Sequence, residues 1–182
     1  MIRTFAAIDV GSFELEMGIY EISEKTGVRS IDHVKHMIAL GKDTFEDGKI
    51  SYQMVEETCR VLKDFAFIMK GYQVNEYRAY ATTAMREAKN SQIVLEQIRV
   101  RTGIQVKVLS NSEQRFIRYK AIAIKASEFQ KTIQKGTAIA DVGFGSMQAS
   151  VFDKDSLPND RMNIIGNTKR IQQNVPERIR LT

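Results

Sequence analysis

A short motif of an aspartate followed two residues later by a glycine occurs twice, each time after an apolar run. Asp9-Val10-Gly11 follows Phe5-Ala6-Ala7-Ile8, and Asp141-Val142-Gly143 follows Ala138-Ile139-Ala140. A glycine loop exposes backbone N–H groups that can bind phosphate oxygens, and an aspartate at a strand end can hold a divalent cation, usually through water. Two such loops facing one cleft would hold a phosphate chain from both sides. The same residues also fit two plain tight turns with aspartate as the turn former.

The elements that must position the first motif read as strands. Residues 2–10 form a β-rich run, residues 14–22 alternate between apolar and polar side chains, and residues 28–39 continue after a turn. Alternation with a period of two is typical of a strand with one buried face. Short links between three successive strands predict an antiparallel meander.

Helices and strands then alternate. Helical spacing of apolar residues predicts a helix from a Ser51 cap to residue 70, and a second helix over 91–102 closed by Gly103. Strands are predicted at 76–82 and 105–109. Ser110-Asn111-Ser112-Glu113 fits a capping box before a helix that runs to about residue 129. The alternation predicts an α/β fold.

The pattern restarts after Gly136. Strands are predicted at 137–142 and 146–152, a further strand is possible at 161–165, and residues 168–180 could begin a helix that Pro176 would break. We therefore expect two domains. Residues 1–130 form a first lobe, and residues 131–182 form the incomplete start of a second.

Composition excludes several classes of protein. The chain has 182 residues, 43% of them hydrophobic, and a formal charge of +5, which is ordinary globular composition. A single cysteine, Cys59, excludes a disulfide scaffold, and no apolar run is long enough to span a bilayer. Without an arginine-rich tract we expect no DNA partner and no membrane partner. A cytoplasmic location and a phosphate-bearing ligand fit these features.

Together these motifs resemble the exopolyphosphatase / guanosine pentaphosphate phosphohydrolase (Ppx/GppA) family. The most specific match is Ala81-Thr82-Thr83-Ala84-Met85-Arg86-Glu87-Ala88-Lys89-Asn90 against the family's A-T-[ST]-A-x-R-x-A-x-N. The two aspartate loops match its D-x-G-S-N-S and D-[IV]-G-G-G-S segments. The resemblance implies the actin-like, ribonuclease-H-like fold of the sugar-kinase and heat-shock ATPase superfamily. It thus implies a lobe with a mixed sheet, followed by the beginning of a second similar lobe.

The resemblance also implies an activity and a set of site residues. Family members hydrolyse the terminal phosphoanhydride of polyphosphate or guanosine pentaphosphate by metal-assisted attack of water. Mg²⁺ or another divalent cation would be held by Asp9 and Asp141. Phosphate would be bound by six residues of the loops and the long motif: Gly11, Ser12, Arg86, Gly143, Gly145 and Ser146. Arg86 could instead form a structural salt bridge with Glu87 or Glu113.

Departures from the family pattern fall on the catalytic positions. Gln114 stands where the family has the glutamate that activates water, and a glutamine amide cannot accept the proton. Glu113 could replace it as the base, but adjacent helix positions point about 100° apart. The second loop carries Phe144 in place of a glycine and Gln148 in place of a glutamate.

The first loop also departs from the pattern. It has Phe13 and Glu14 in place of the family's asparagine and serine, and Glu16 stands at a usually basic position. If this face of the strand meets the cleft, both glutamates would repel a polyanion.

We therefore expect hydrolysis to be weak or lost in this chain. Two alternatives remain: a non-catalytic regulator that binds polyphosphate or a guanosine nucleotide, and an interaction module whose second sheet pairs with another chain. A homodimer is expected, because an incomplete sheet leaves an edge and apolar surface uncovered. His33 and His36, three apart in a strand, should face opposite sides, and Cys59 should be a core thiol.

Overall fold

The structure is a computed structural model, and it describes residues 2–125, 137–143, 147–153 and 156–159. Its strands are β1 (Ile2–Val10), β2 (Glu14–Ser23), β3 (Gly27–Met37), β4 (Glu76–Ala81), β5 (Val106–Val108), β6 (Thr137–Val142), β7 (Met147–Asp153) and β8 (Ser156–Asn159). Its helices are α1 (Leu40–Asp47), α2 (Tyr52–Gly71), α3 (Thr83–Glu87), α4 (Ser91–Thr102) and α5 (Asn111–Lys125).

The first five strands form one mixed sheet in the order β3-β2-β1-β4-β5. β1, β2 and β3 pair antiparallel, which confirms the predicted meander. β4 then lies parallel to β1, and β5 lies parallel to β4. Parallel neighbours need a long crossover, and the helical segments between β3 and β5 supply it.

One face of this sheet is the core. Leu15, Met17 and Ile19 of β2 are fully buried, as the alternation of the sequence predicts. They pack in one cluster with the apolar stripe of α2, which includes Leu62 and Phe65. The start of α2 and the end of α4 are capped as expected. Ser51 Oγ accepts a hydrogen bond from Met54 N at the start of α2, and Gly103 closes α4 in the left-handed conformation.

Two short helices are absent from the sequence-based prediction. α1 and α3 lie beside each other at the end of the sheet where β1 and β4 finish. Thr44 of α1 places its Oγ1 3.2 Å from the carbonyl of Ala84 in α3. α3 is a single turn of five residues, which is too short for a helical period to show in sequence.

The second group of strands forms a separate antiparallel sheet, β6-β7-β8. Asp141 lies opposite Gln148, and Val142 lies opposite Met147. Both aspartate motifs therefore end a strand whose antiparallel partner comes next in the chain, as the repeated motif predicts. The connection after Gly143 includes residues 144–146, so Phe144, Gly145 and Ser146 lie outside the described residues.

The described residues separate into two compact units, one up to Ser110 and one from Asn111 onward. Helix α5 is thus grouped with the sheet β6-β7-β8. The lobes expected at 1–130 and 131–182 stay a prediction, because residues 126–136 are outside the described part. The same holds for the elements expected at 161–165 and 168–180. No described helix combines the length and the apolar character needed to cross a membrane.

Candidate functional site

The loop between β1 and β2 is a tight turn that only glycine can begin. Gly11 N–H donates to the carbonyl of Glu14 at 3.0 Å. A Cβ added at Gly11 would lie 2.8 Å from that same carbonyl oxygen, so no side chain fits without moving the backbone. The N–H of Gly11 is therefore used inside the turn. The role of Gly11 in phosphate binding stays a prediction.

Ser12 links this loop to both short helices, α1 and α3, by hydrogen bonds. Its buried Oγ accepts a hydrogen bond from Ala84 N at 3.2 Å, at the start of α3. Its carbonyl accepts from Gly41 N at 2.7 Å, in α1. A serine hydroxyl that accepts one bond still has its own O–H to donate. Ser12 can thus position the loop and also donate a hydrogen bond to a phosphate oxygen.

Arg86 of α3 ties the ends of two parallel strands together. Its Nη1 donates to the carbonyl of Leu109, just after β5, at 2.8 Å, and its Nη2 donates to Thr83 Oγ1 at 3.1 Å. Its Nε lies 3.6 Å from a carboxylate oxygen of Glu87. Burial lowers the pKa of the guanidinium, and the charge of Glu87 partly offsets this shift. The ion pair with Glu87, which was the alternative to a phosphate contact, is thus present.

Much of the long motif around Arg86 serves packing. Thr83, Ala84 and Met85 are buried, so the small residues let α3 approach the sheet closely. Asn90 ends the motif with two bonds to one residue: its Nδ2 donates to Ile50 O at 2.8 Å, and its Oδ1 accepts from Ile50 N at 3.0 Å. The residues that match the family pattern therefore have a structural role in this chain.

The two glutamates that follow the first loop are bridged by a lysine. Lys35 of β3 lies directly opposite Glu16 and contacts its carboxylate, and it lies 3.8 Å from Glu14. Burial opposes the ionisation of Glu16, but the hydrogen bond and charge of Lys35 outweigh it, so the pKa of Glu16 lies below its ordinary value. His33 adds a contact to Glu16 at 3.7 Å. The positive charge of Lys35 reduces the expected repulsion of a polyanion.

The two aspartates stand in different surroundings. Asp9 is exposed on β1, opposite Glu16 of β2. Asp141 is paired with Arg118 of α5, whose Nε lies 2.8 Å from Asp141 Oδ2. Among the residues that the structure describes, no group of three acidic, histidine or cysteine side chains is arranged to hold a metal ion. The assignment of a cation to Asp9 and Asp141 stays a prediction.

The catalytic position of the family falls in the first turns of α5. Glu113 is partly exposed, and Gln114 is buried. Successive residues of one helix point about 100° apart, so the two side chains occupy different directions. The residue that the family resemblance places at the catalytic position is thus a buried amide, and its role there stays a prediction.

The remaining candidates behave as expected. His33 is 3.7 Å from Glu16, whereas His36 is 3.2 Å from Glu57 of α2, so the two histidines face opposite sides of β3. Cys59 is fully buried in the core cluster, and burial raises the pKa of its thiol.

The strand order and the two hairpins define an actin-like, ribonuclease-H-like fold, and solved structures share it. The Aquifex aeolicus member of the Ppx/GppA protein family superposes with a TM-score of 0.70 at 25% identity, over 92% of this chain and 51% of that chain. An exopolyphosphatase from Cytophaga hutchinsonii superposes with a TM-score of 0.68 at 20% identity, over 94% and 53% of the two chains. The predicted fold class is confirmed.

The chain belongs to the Ppx/GppA phosphatase family, whose model matches residues 19–162. Exopolyphosphatase 1 of Mycobacterium tuberculosis is 25% identical over 115 residues, which is 63% of this chain and 33% of that protein. Guanosine-5'-triphosphate,3'-diphosphate pyrophosphatase of Photobacterium profundum is 25% identical over 157 residues, which is 84% and 30% of the two chains. The chain spans about a third of the length of these relatives.

Two features of the site were not predicted from the sequence. The contact between Lys35 and Glu16 could have been found, because the predicted meander places oppositely charged side chains on neighbouring strands. The contact between Arg118 and Asp141 joins a helix to a strand, and no periodicity in sequence encodes such a pair.

Proposed function

We propose that this chain is a Ppx/GppA-type phosphohydrolase homologue whose hydrolysis of polyphosphate or guanosine pentaphosphate is weak or lost. In the family reaction, water attacks the terminal phosphorus, the P–O–P bond breaks and inorganic phosphate leaves. A carboxylate takes the proton of the water. Loss of such a general base usually costs about 10²–10⁴ in rate.

The observation that carries this proposal is the amide at position 114. Gln114 is buried, so bulk water cannot easily substitute for the missing carboxylate. Glu113 is the nearest acidic residue in sequence, but it points in another direction from the same helix. Neither residue therefore combines a basic oxygen with the direction of the family's base.

A divalent cation enters this proposal with the phosphate ligand. Mg²⁺ commonly binds proteins through one or two carboxylates together with substrate phosphates. The described residues include no group of three histidine, cysteine, aspartate or glutamate side chains placed to hold an ion. Assays should therefore supply Mg²⁺ together with the phosphate compound.

The test measures phosphate release from polyphosphate and from guanosine pentaphosphate with Mg²⁺ present. We expect a rate at least about 10²-fold below that of active family members. Gln114→Glu should raise the residual rate, because it restores a carboxylate. Gln92→Glu, on the exposed surface of α4, introduces the same change elsewhere and should have no effect. Turnover of the unmodified chain at the level of active relatives would refute the proposal.

A second candidate is a regulator that binds these compounds without cleaving them. Arg86 supports it, because the side chain keeps 15% of its surface exposed while its guanidinium is held in place. A guanidinium fixed in this way keeps its positive charge, which attracts a phosphate group. Calorimetry with polyphosphate and with guanosine pentaphosphate tests this candidate. Lack of heat with both compounds would instead favour an interaction module.

A further inference from the structure

The carboxylate at the second aspartate loop already has a cation from the chain itself. Arg118 of α5 places Nε 2.8 Å from Asp141 Oδ2. Both residues belong to the compact unit that begins at Asn111. The Asp141 side chain is only 18% exposed, whereas that of Arg118 is 51% exposed. The carboxylate is therefore largely covered, and the guanidinium faces solvent.

Among the described residues, the partner recorded for the Asp141 carboxylate is Arg118 and not a metal-ligating side chain. Ca²⁺ takes six to eight oxygen ligands and Mg²⁺ takes six, with carboxylates as anchors. In the described part of the chain, no group of three histidine, cysteine, aspartate or glutamate side chains is arranged to hold a metal ion. An ion binding there would also have to displace Arg118. The positive charge at this position comes from the arginine.

The bond to Asp141 leaves most of the guanidinium available. A guanidinium carries five N–H donors, and the contact with Asp141 uses the one on Nε. The Arg118 side chain is 51% exposed, so Nη1 and Nη2 remain as donors toward solvent. Arg99 of α4 shows the contrast. There Nε and Nη2 both bind the carboxylate of Glu96, at 2.9 Å and 2.6 Å, so the bidentate edge is consumed.

We propose that Arg118, held in position by Asp141, is a phosphate-binding residue of this chain and supplies the charge that the family resemblance assigns to a divalent cation. The inference rests on the proposed function, because it takes the ligand to be a phosphate chain. Asp141 is then a positioning residue, since its carboxylate holds the guanidinium at Nε. The two Nη groups are then the donors offered to the phosphate oxygens. Phosphate binding at Arg118 does not require a divalent cation.

Arginine suits this role better than lysine does. Its charge persists at every physiological pH, and its planar fork matches two oxygens of one phosphate group. A lysine would retain the charge and lose the fork. This difference gives a graded series of variants at position 118.

The experiment is isothermal titration of the full chain with inorganic tripolyphosphate, once in EDTA and once in Mg²⁺. The unmodified chain should bind in EDTA. Arg118→Met should weaken binding in EDTA about 10-fold or more, since a charge-assisted bidentate contact is lost. Arg118→Lys should recover part of the affinity. Arg99→Met is the matched control, because Arg99 is also paired on a helix and is 56% exposed, and it should bind as the unmodified chain does.

Circular dichroism checks that each variant is folded. If Arg118→Met does not fold, the affinity of Arg118→Lys is compared with that of the unmodified chain instead. Binding of the unmodified chain in Mg²⁺ but not in EDTA would overturn the inference and leave the proposed function standing. Equal affinity of the unmodified chain and the Arg118 variants would do the same. Absence of tripolyphosphate binding in both buffers would overturn the binding candidate and this inference together.

Discussion

At the scale of single residues, the side chains expected to bind phosphate also hold the fold together. Ser12 links the first loop to α1 and α3. Arg86 joins α3 to the residue after β5. Such double roles mean that loss of binding after a mutation can reflect either a lost contact or a disturbed loop. Stability and affinity therefore have to be measured on the same variant.

Arg86→Met separates the two roles of that residue. The substitution leaves the carbonyl of buried Leu109 without the donor Nη1, and an unsatisfied buried acceptor costs about 1–3 kcal/mol. We expect a loss of that size in the free energy of unfolding, measured with urea. Arg78→Met, which removes an exposed arginine paired with Glu76 on β4, should change stability by less than about 0.5 kcal/mol.

Affinity is then measured at a temperature where the Arg86→Met variant is folded. If Arg86 contacts phosphate, the dissociation constant for tripolyphosphate should rise about 10-fold, as expected for a charge-assisted hydrogen bond. If the variant is less stable but its dissociation constant is unchanged, Arg86 stabilises the fold and does not bind phosphate.

At the scale of elements, the short helix α1 sets the position of the first loop. Gly41 packs directly against Ser12, and its N–H donates to the Ser12 carbonyl at 2.7 Å. A Cβ at Gly41 would lie 3.1 Å from that carbonyl oxygen and 3.0 Å from Ser12 Cβ. The close approach of α1 to the loop therefore favours a residue without a side chain.

Gly41→Ala tests this contact. The added methyl must push the loop backbone or the helix aside, and overpacking of this kind costs about 1–3 kcal/mol. We expect a lower free energy of unfolding and weaker binding of tripolyphosphate. Gly71→Ala is the matched control, because nothing lies within 4 Å of a Cβ at the end of α2. That variant should be unchanged or more stable by up to about 1 kcal/mol. Equal stability of the two variants would contradict the role given to Gly41.

At the scale of the whole molecule, the second sheet is small. Within the described residues it has the strands β6, β7 and β8, with β6 at one edge. Val142 at the end of β6 is 72% exposed. A three-stranded sheet with an open edge gains stability by pairing with a further strand. A second copy of the chain can supply such a strand with two-fold symmetry.

We therefore predict a homodimer through this edge. Light scattering at micromolar concentration should give about twice the chain mass of 20.7 kDa. Val142→Lys places a charge at the edge and should shift the protein to monomer. Val28→Lys makes the same change on β3, an edge strand of the other sheet, and should leave the dimer intact. A monomer in which residues 136–182 resist protease would contradict the prediction.

The sequence by itself determined the fold class and most of the elements. Alternation in residues 14–22 and helical spacing in residues 51–70 each report which face of an element is buried, and burial is what the core requires. The aspartate motif that occurs at Asp9 and again at Asp141 predicted two strand hairpins. The pairing of β1 with β2 and of β6 with β7 confirms this prediction. The long motif around Arg86 predicted the family. These signals are local, so they can be read along the chain.

The tertiary structure alone decided which charges meet. Lys35 bridges Glu14 and Glu16 because the register of β2 and β3 places them on one face. Arg118 reaches Asp141 because a helix and a strand 23 positions further along the chain are brought together. Glycine is favoured at position 41 because α1 approaches the loop closely. The pairing of Arg118 with Asp141 and the close approach at Gly41 depend on packing in three dimensions, and neither period nor composition encodes them.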